Sequence, residues 1–75
     1  MAIIKIGRSS ANDVVIDSPV VSSQHASISI SNTGDIVIKD LNSSNGTFVN
    51  GERINSHILK PGDNVCLANI PFNWQ

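Results

Sequence analysis

Three short polar segments hold the side chains able to do chemistry: Gly7-Arg8, Val21-Ser22-Ser23-Gln24-His25-Ala26 and Asp40-Leu41-Asn42-Ser43-Ser44-Asn45-Gly46-Thr47. Between them they offer a guanidinium, several hydroxyls, carboxamides, an imidazole and a carboxylate. A guanidinium forks onto two oxygens of a phosphate or carboxylate. Hydroxyls donate to the same oxygens, and a carboxamide both donates and accepts, as a peptide main chain requires. Each segment alone has a plainer reading. Arg8 would be a solvated surface charge, the serines turn formers, and His25 a residue that ties its loop together by hydrogen bonds.

Ser22, His25 and Asp40 also invite comparison with a hydrolase triad. No G-x-S-x-G elbow occurs, and a serine and histidine this close at a loop–strand junction make a poor nucleophile and base. Seventy-five residues leave little room for a substrate pocket. No enzyme is expected. His25, His57 and Cys66 lack zinc spacing, so neither a metal nor a cofactor is expected. Cys66, between Val65 and Leu67, is expected to pack inside. A lone cysteine cannot form an internal disulfide, which fits a reducing, intracellular compartment, the cytoplasm first.

The segments sit between strands. The chain carries eleven serines and nine asparagines and few runs of good helix formers, which tilts it away from helix. Its apolar residues are mainly Ile and Val in short bursts split by turn chemistry. Bursts at 3–6 and 14–16 flank a polar loop at 7–13. Residues 26–31 alternate, with Ile28 and Ile30 on one face and Ser27, Ser29 and Ser31 on the other, the period of a half-buried strand. Asn32-Thr33-Gly34 turns the chain into a strand at 35–40. Thr47 to Val49 is a short strand, and Asn50-Gly51 predicts a tight hairpin returning through Arg53 and Ile54. Pro61-Gly62-Asp63 is a turn before a strand at 65–68, and residues 70–74 hold a last, short one. Strands this short and frequent predict an all-β sandwich of two antiparallel sheets, with a site on loops gathered at one end.

One domain over 1–75 accounts for the length. With 40% apolar and 15% charged residues, the chain can build a modest core and is not disordered by composition. Five basic against six acidic residues give a net charge of −1, with no footprint for nucleic acid or an anionic membrane. No apolar run is long enough for a bilayer, and the first residues lack the hydrophobic stretch of a signal peptide.

In order, Gly-Arg, S-x-x-H and D-L-x-S-x-N-G-T-x-V-N-G, with Asn12-Asp13-Val14-Val15-Ile16 and Pro61-Gly62-Asp63 also in place, resemble the forkhead-associated (FHA) domain. The resemblance runs from about Ile4 to Ala68. It implies a β-sandwich whose apical loops bind phosphothreonine peptides in signalling complexes. Residue by residue, it implies that Arg8 binds phosphate, that the Ser22 hydroxyl donates to it, and that Ser44, just before the Asn-Gly pair, donates or shapes the pocket. It implies that Asn45 holds the main chain of the bound peptide. Gly7, His25 and Gly46 are implied to be architectural, the glycines permitting tight loops and His25 bracing the second loop against the third. A direct ligand contact is the alternative for His25. Asn50 and Gly51 turn a hairpin.

The chain also departs from that pattern. Ser23 stands where a basic residue or asparagine is common, so one phosphate contact is expected to be short-reaching or missing. Val20 is small and apolar where specificity-setting side chains often project. Family members are usually longer, and a strand before Ile3 and part of the last one are expected to be lacking. Unpaired edges would leave a dimer or strand exchange open beside a monomer. The rival reading is an FHA-like assembly surface that no longer reads phosphate.

Overall fold

A computed structural model of the chain describes residues 2–74. Nine strands run through them: β1 (Ala2–Gly7), β2 (Val14–Val15), β3 (Ala26–Ile30), β4 (Ile36–Asp40), β5 (Thr47–Val49), β6 (Glu52–Ile54), β7 (Ser56–Leu59), β8 (Val65–Leu67) and β9 (Ile70–Phe72). They form a five-stranded sheet in the order β2-β1-β3-β4-β7 and a four-stranded sheet in the order β6-β5-β8-β9. The described residues contain no helix.

The alternation expected for 26–31 sets the register of the larger sheet. Ile28 lies opposite Ile4 on one side and Ile38 on the other, so apolar side chains share the inner face. Burial fades along this face. Ile6, Ala26 and Ile38 are fully covered, whereas Ile4 and Ile30 remain 36% and 40% exposed. The strands of the smaller sheet are only three residues long, so their cover is concentrated at the Ile6 end. Val49, Val65 and Leu67 complete the core from that side, and Val21 enters it from the loop before β3.

Strand β7 is not marked by the hydrophobic pattern of the sequence. Its outward side carries the exposed Ile58, and its inward side holds His57 beside the buried Leu59, so its alternation does not separate apolar from polar. Pairing with β4, Val37 opposite Ile58, defines it instead. The sheets are antiparallel apart from β1 with β2, a parallel pair overlapping at Ile6–Val14 and Gly7–Val15 only. Cys66 does not pack inside. Val65 and Leu67 point inward, so the pleat turns Cys66 to the outer face, where it is half-buried opposite Phe48 and Pro71.

Asn50-Gly51 makes the expected hairpin. Both residues take the left-handed conformation, φ 53° and 84°, that a two-residue hairpin turn requires. Asn50 does more than turn. Its amide donates to Asp63 Oδ1 at 3.0 Å, and its own Oδ1 accepts the Asn64 N–H at 2.9 Å. Pro71 lies on the edge strand β9, where a residue without an N–H is tolerated.

Candidate ligand site on the apical loops

Gly7 closes β1, and its missing side chain brings the first two loops together. A Cβ there would stand 2.3 Å from the Ser23 carbonyl oxygen and 2.8 Å from Asn12 Nδ2, closer than any real contact. The space admits two main-chain bonds: Arg8 N–H to the Ser22 carbonyl at 2.9 Å and Ser9 N–H to the Ser23 carbonyl at 3.2 Å. Asn12, itself buried, donates from Nδ2 to the carbonyls of Ser23 and Ser9 at 2.6 and 2.9 Å. In the sequence, Asn12 belongs to the Asn12-Asp13-Val14-Val15-Ile16 motif. Its polar, turn-rich surroundings gave no sign that its side chain clamps the neighbouring loop.

His25 joins the second loop to the third. Fully buried, it accepts the Ser22 N–H at Nδ1 (3.1 Å), and its Nε2–H donates to the Gly46 carbonyl at 2.8 Å. Accepting at one nitrogen and donating from the other defines a neutral ring with the proton on Nε2. Both nitrogens therefore serve the main chain. Neither faces the Ser22 hydroxyl as a base would, and Asp40 is not their partner in a relay.

Asp40 instead organises the third loop from below. Ser43 Oγ and Thr47 Oγ1 donate to Oδ1 at 2.5 and 2.7 Å, Ser43 N–H donates to Oδ2 at 3.1 Å, and Ser43 Oγ accepts the Gly46 N–H at 3.0 Å. Burial by itself would raise the carboxyl's pKa. The bonds from Ser43 and Thr47 outweigh that and hold it below the ordinary 3.8. Nothing in the types of Ser43 and Thr47 alone marks them as loop-shaping residues. The spacing from Asp40 was the available signal, since a carboxylate ahead of a Ser-rich turn commonly bonds its following N–H groups.

On this base the outward side chains converge. Arg8, Ser22, Ser23, Ser44 and Asn45 line one open cleft of about 270 Å³, walled by Pro19, Val20 and Val21. Ser22 Oγ accepts the Ser44 N–H at 3.1 Å, which leaves its own hydroxyl proton to donate outward. Asn45 commits one amide N–H to the Val20 carbonyl at 2.7 Å, leaving its carbonyl oxygen and second N–H for a ligand. The Arg8 guanidinium has no hydrogen bond or ion pair among the described residues. Its charge is free in a protein of net charge −1, so the positive potential is local to the cleft. Asn50 and Gly51 stand apart, at the far end of β5. A larger groove, about 640 Å³, runs beside Phe72 and Trp74, away from these residues. Among the described residues no three His, Cys, Asp or Glu side chains gather as a metal site would need.

The sequence matches the FHA domain family over residues 4–68. It is 44% identical over 75 residues to the transcriptional regulatory protein EmbR of Mycobacterium tuberculosis, covering 99% of this chain and 19% of EmbR. It is 42% identical over 67 residues to the M. tuberculosis ABC transporter ATP-binding/permease protein Rv1747, covering 89% of this chain and 8% of that protein. The chain thus spans less than a fifth of either relative. Its fold superposes on EmbR in complex with a low-affinity phosphopeptide with a TM-score of 0.87, at 42% identity, covering 95% of this chain and 19% of that one. It also superposes on the N-terminal FHA domain of Saccharomyces cerevisiae Rad53p in complex with a phosphothreonine peptide, with a TM-score of 0.78 at 28% identity, covering 85% of this chain and 54% of that one.

Proposed function

The chain belongs to the FHA domain family, and from that premise we propose that its apical cleft binds a phosphothreonine-bearing segment of a partner protein in signalling. One observation carries the proposal: the Arg8 guanidinium, unpaired among the described residues, shares an open cleft with the Ser22 and Ser44 hydroxyls and with Asn45. A phosphothreonine brings roughly −1.5 to −2 charges and several acceptor oxygens. Arg8 supplies the forked charge, Ser22 and Ser44 supply O–H donors, and Asn45 grips the peptide main chain. Val20 offers an apolar wall for the threonine methyl, whose burial contributes about 0.8 kcal/mol over phosphoserine. Free phosphate binds poorly on this account, because it forgoes the grip at Asn45. The proposal sets the protein inside the cell, where kinases act and the unpaired Cys66 stays reduced.

Calorimetric titration with matched peptides carrying phosphothreonine, phosphoserine, threonine or glutamate tests it. Phosphothreonine should bind tightest. Glutamate, with one charge and two oxygens, should bind poorly. Binding should weaken as pH falls through about 6, where the phosphate takes up its second proton. Equal affinity for phosphothreonine and plain threonine would sink the proposal in favour of a phosphate-independent assembly surface.

A further inference from the structure

The outer face of the larger sheet carries side chains that neither the core nor the apical cleft uses. Strand pairing aligns them in rows. One row runs Ile3, Ser29, Val37, Ile58 from β1 across to β7, and the next runs Lys5, Ser27, Lys39, Ser56. Ile4, Ile28 and Ile38 share the opposite, inner face, so the pleat turns both rows outward. Ile3 and Ile58 are 57% and 51% exposed, and Val37 is half-buried. Val37 and Ile58 are neighbours, and only the small Ser29 parts them from Ile3. The apolar surface is therefore one strip rather than scattered residues, and a strip of this kind rimmed by polar groups marks an interaction site.

The row beside the strip is cationic. Lys5 and Lys39 are two of the chain's three lysines, both exposed, and they stand opposite Ser27 on either side. Neither ammonium has a hydrogen bond or ion pair among the described residues, and the Ser27 and Ser56 hydroxyls have no bond there either. No carboxylate lies in either row. Asp13 and Asp35, which lead into β2 and β4, are engaged locally, accepting the Lys5 main-chain N–H at 2.9 Å and the Thr33 hydroxyl at 3.3 Å. Two strand spacings, about 10 Å, separate Lys5 from Lys39. Their flexible four-carbon stems can converge on an anion placed over Ser27.

The two rows lie about 7 Å apart along the strands, which is also the distance between alternate side chains of an extended chain. A segment lying extended on this face sets an acidic residue over Ser27 and, two positions away, an apolar one over Ser29 against Ile3 and Val37. An anionic bilayer fits less well. Each lysine would strengthen adhesion by only about fivefold, and two of them in a chain of net charge −1 do not hold a protein on a membrane.

We propose that the outer face of the larger sheet docks an extended segment of a partner protein in which an Asp or Glu stands two residues from an Ile, Leu, Val or Phe. None of the residues involved lines the Arg8 cleft, so the surface works without phosphate and does not rest on the phosphothreonine reading. A partner that engages both sites gains from their linkage.

Panning a phage-displayed library of unphosphorylated random peptides against the whole chain tests this. Selected peptides should share the acidic–x–apolar or apolar–x–acidic spacing. Added to isotope-labelled protein, they should shift the amide signals of β1, β3, β4 and β7 and leave those of Ser22, Ser44 and Asn45 in place. Lys5→Gln with Lys39→Gln should weaken their binding by about two- to thirtyfold, and added salt should weaken it in the wild type. Lys39→Gln alone should give a smaller loss, which keeps the surface testable if the double variant melts early. Ile58→Ser should lower affinity without changing its salt dependence. A library that yields no shared spacing overturns the proposal. Peptides that bind the double variant as tightly as wild type, or that move the apical signals instead, overturn it too. Sedimentation with phosphatidylserine–phosphatidylcholine vesicles, and of the protein alone, checks the other occupants. Vesicle binding lost in the double variant would assign the face to a membrane, and a dimer broken by Ile58→Ser would assign it to a second copy of the chain; either result overturns the partner segment.

Discussion

Replacing His25 with alanine should unfold the site by uncoupling its loops before it touches any ligand chemistry. The ring is fully buried and makes two bonds, from the Ser22 N–H and to the Gly46 carbonyl. The two ends are not equal. Gly46 O also accepts the Ala68 N–H at 2.8 Å, so it keeps a partner, whereas the Ser22 N–H loses the one it has among the described residues. An unsatisfied donor costs about 1–3 kcal/mol when buried, toward the lower end at the part-buried Ser22 N–H, and the vacated space adds a cavity term, tempered where a water can enter. A total of about 2–4 kcal/mol is a large share of the roughly 4–11 kcal/mol expected for a domain of this size. At about 4–8 °C per kcal/mol, the melting midpoint should drop by at least about 8 °C. Thermal melts followed by circular dichroism and by the emission of the single tryptophan, Trp74, with and without phosphothreonine peptide, measure this. Both curves should shift together. A midpoint within about 2 °C of wild type, combined with lost peptide binding, would refute the reasoning and make His25 a ligand contact.

Arg8→Ala should leave the melting midpoint unchanged, since the side chain is exposed and has no partner among the described residues, yet cost about 2–5 kcal/mol of phosphopeptide binding; near-wild-type affinity in calorimetry would remove Arg8 from the site. Gly7→Ala should cost about 1–3 kcal/mol in urea denaturation, because the new methyl meets the Ser23 carbonyl, which is main chain and cannot swing aside. An unchanged urea midpoint would mean that the two loops separate freely. Asp40 has a folded pKa lowered by Ser43 and Thr47 against the opposing effect of burial. Its stabilisation is therefore fully present above the unfolded carboxyl pKa of about 3.9 and lost as pH falls through the folded value. Asp40→Asn should be less stable at neutral pH and show a shallower loss of stability below about pH 4; parallel pH profiles for the two proteins would contradict this.

How far the sequence reached is clearest at two places. In β3 the alternation of Ile28 with Ser27 and Ser29 determined which face would be buried, because a period of two permits only one amphipathic answer. Asn50-Gly51 determined a hairpin for an equally local reason, as these residues tolerate the left-handed backbone of the turn. Strand β7 was hidden because Ile58 faces solvent and His57 faces inward, so its existence depends on β4 alongside. Cys66 shows the same limit. Its apolar neighbours suggest burial, but both of them take the inner face and leave it the outer one.

The loops divide along the same line. The order of Gly7-Arg8, Ser22-x-x-His25 and Ser44-Asn45-Gly46 was legible in the chain, since the types of donor needed for an anion can be counted without knowing where they lie. What holds them at one cleft could not be counted. Ser23 lies against Gly7 because a side chain is missing there, and Asn12 crosses to the same carbonyl over eleven residues of chain. His25 reaches Gly46 over twenty-one, and Arg53 comes to rest beside Gly46 only through the pairing of β5 with β6. Residue types and local backbone preference act over a few neighbours, so they suffice for the strands with clean alternation, the turns and the inventory of the site. Which atoms meet across long stretches of chain is decided by sheet order and close packing, and only the tertiary structure supplies them.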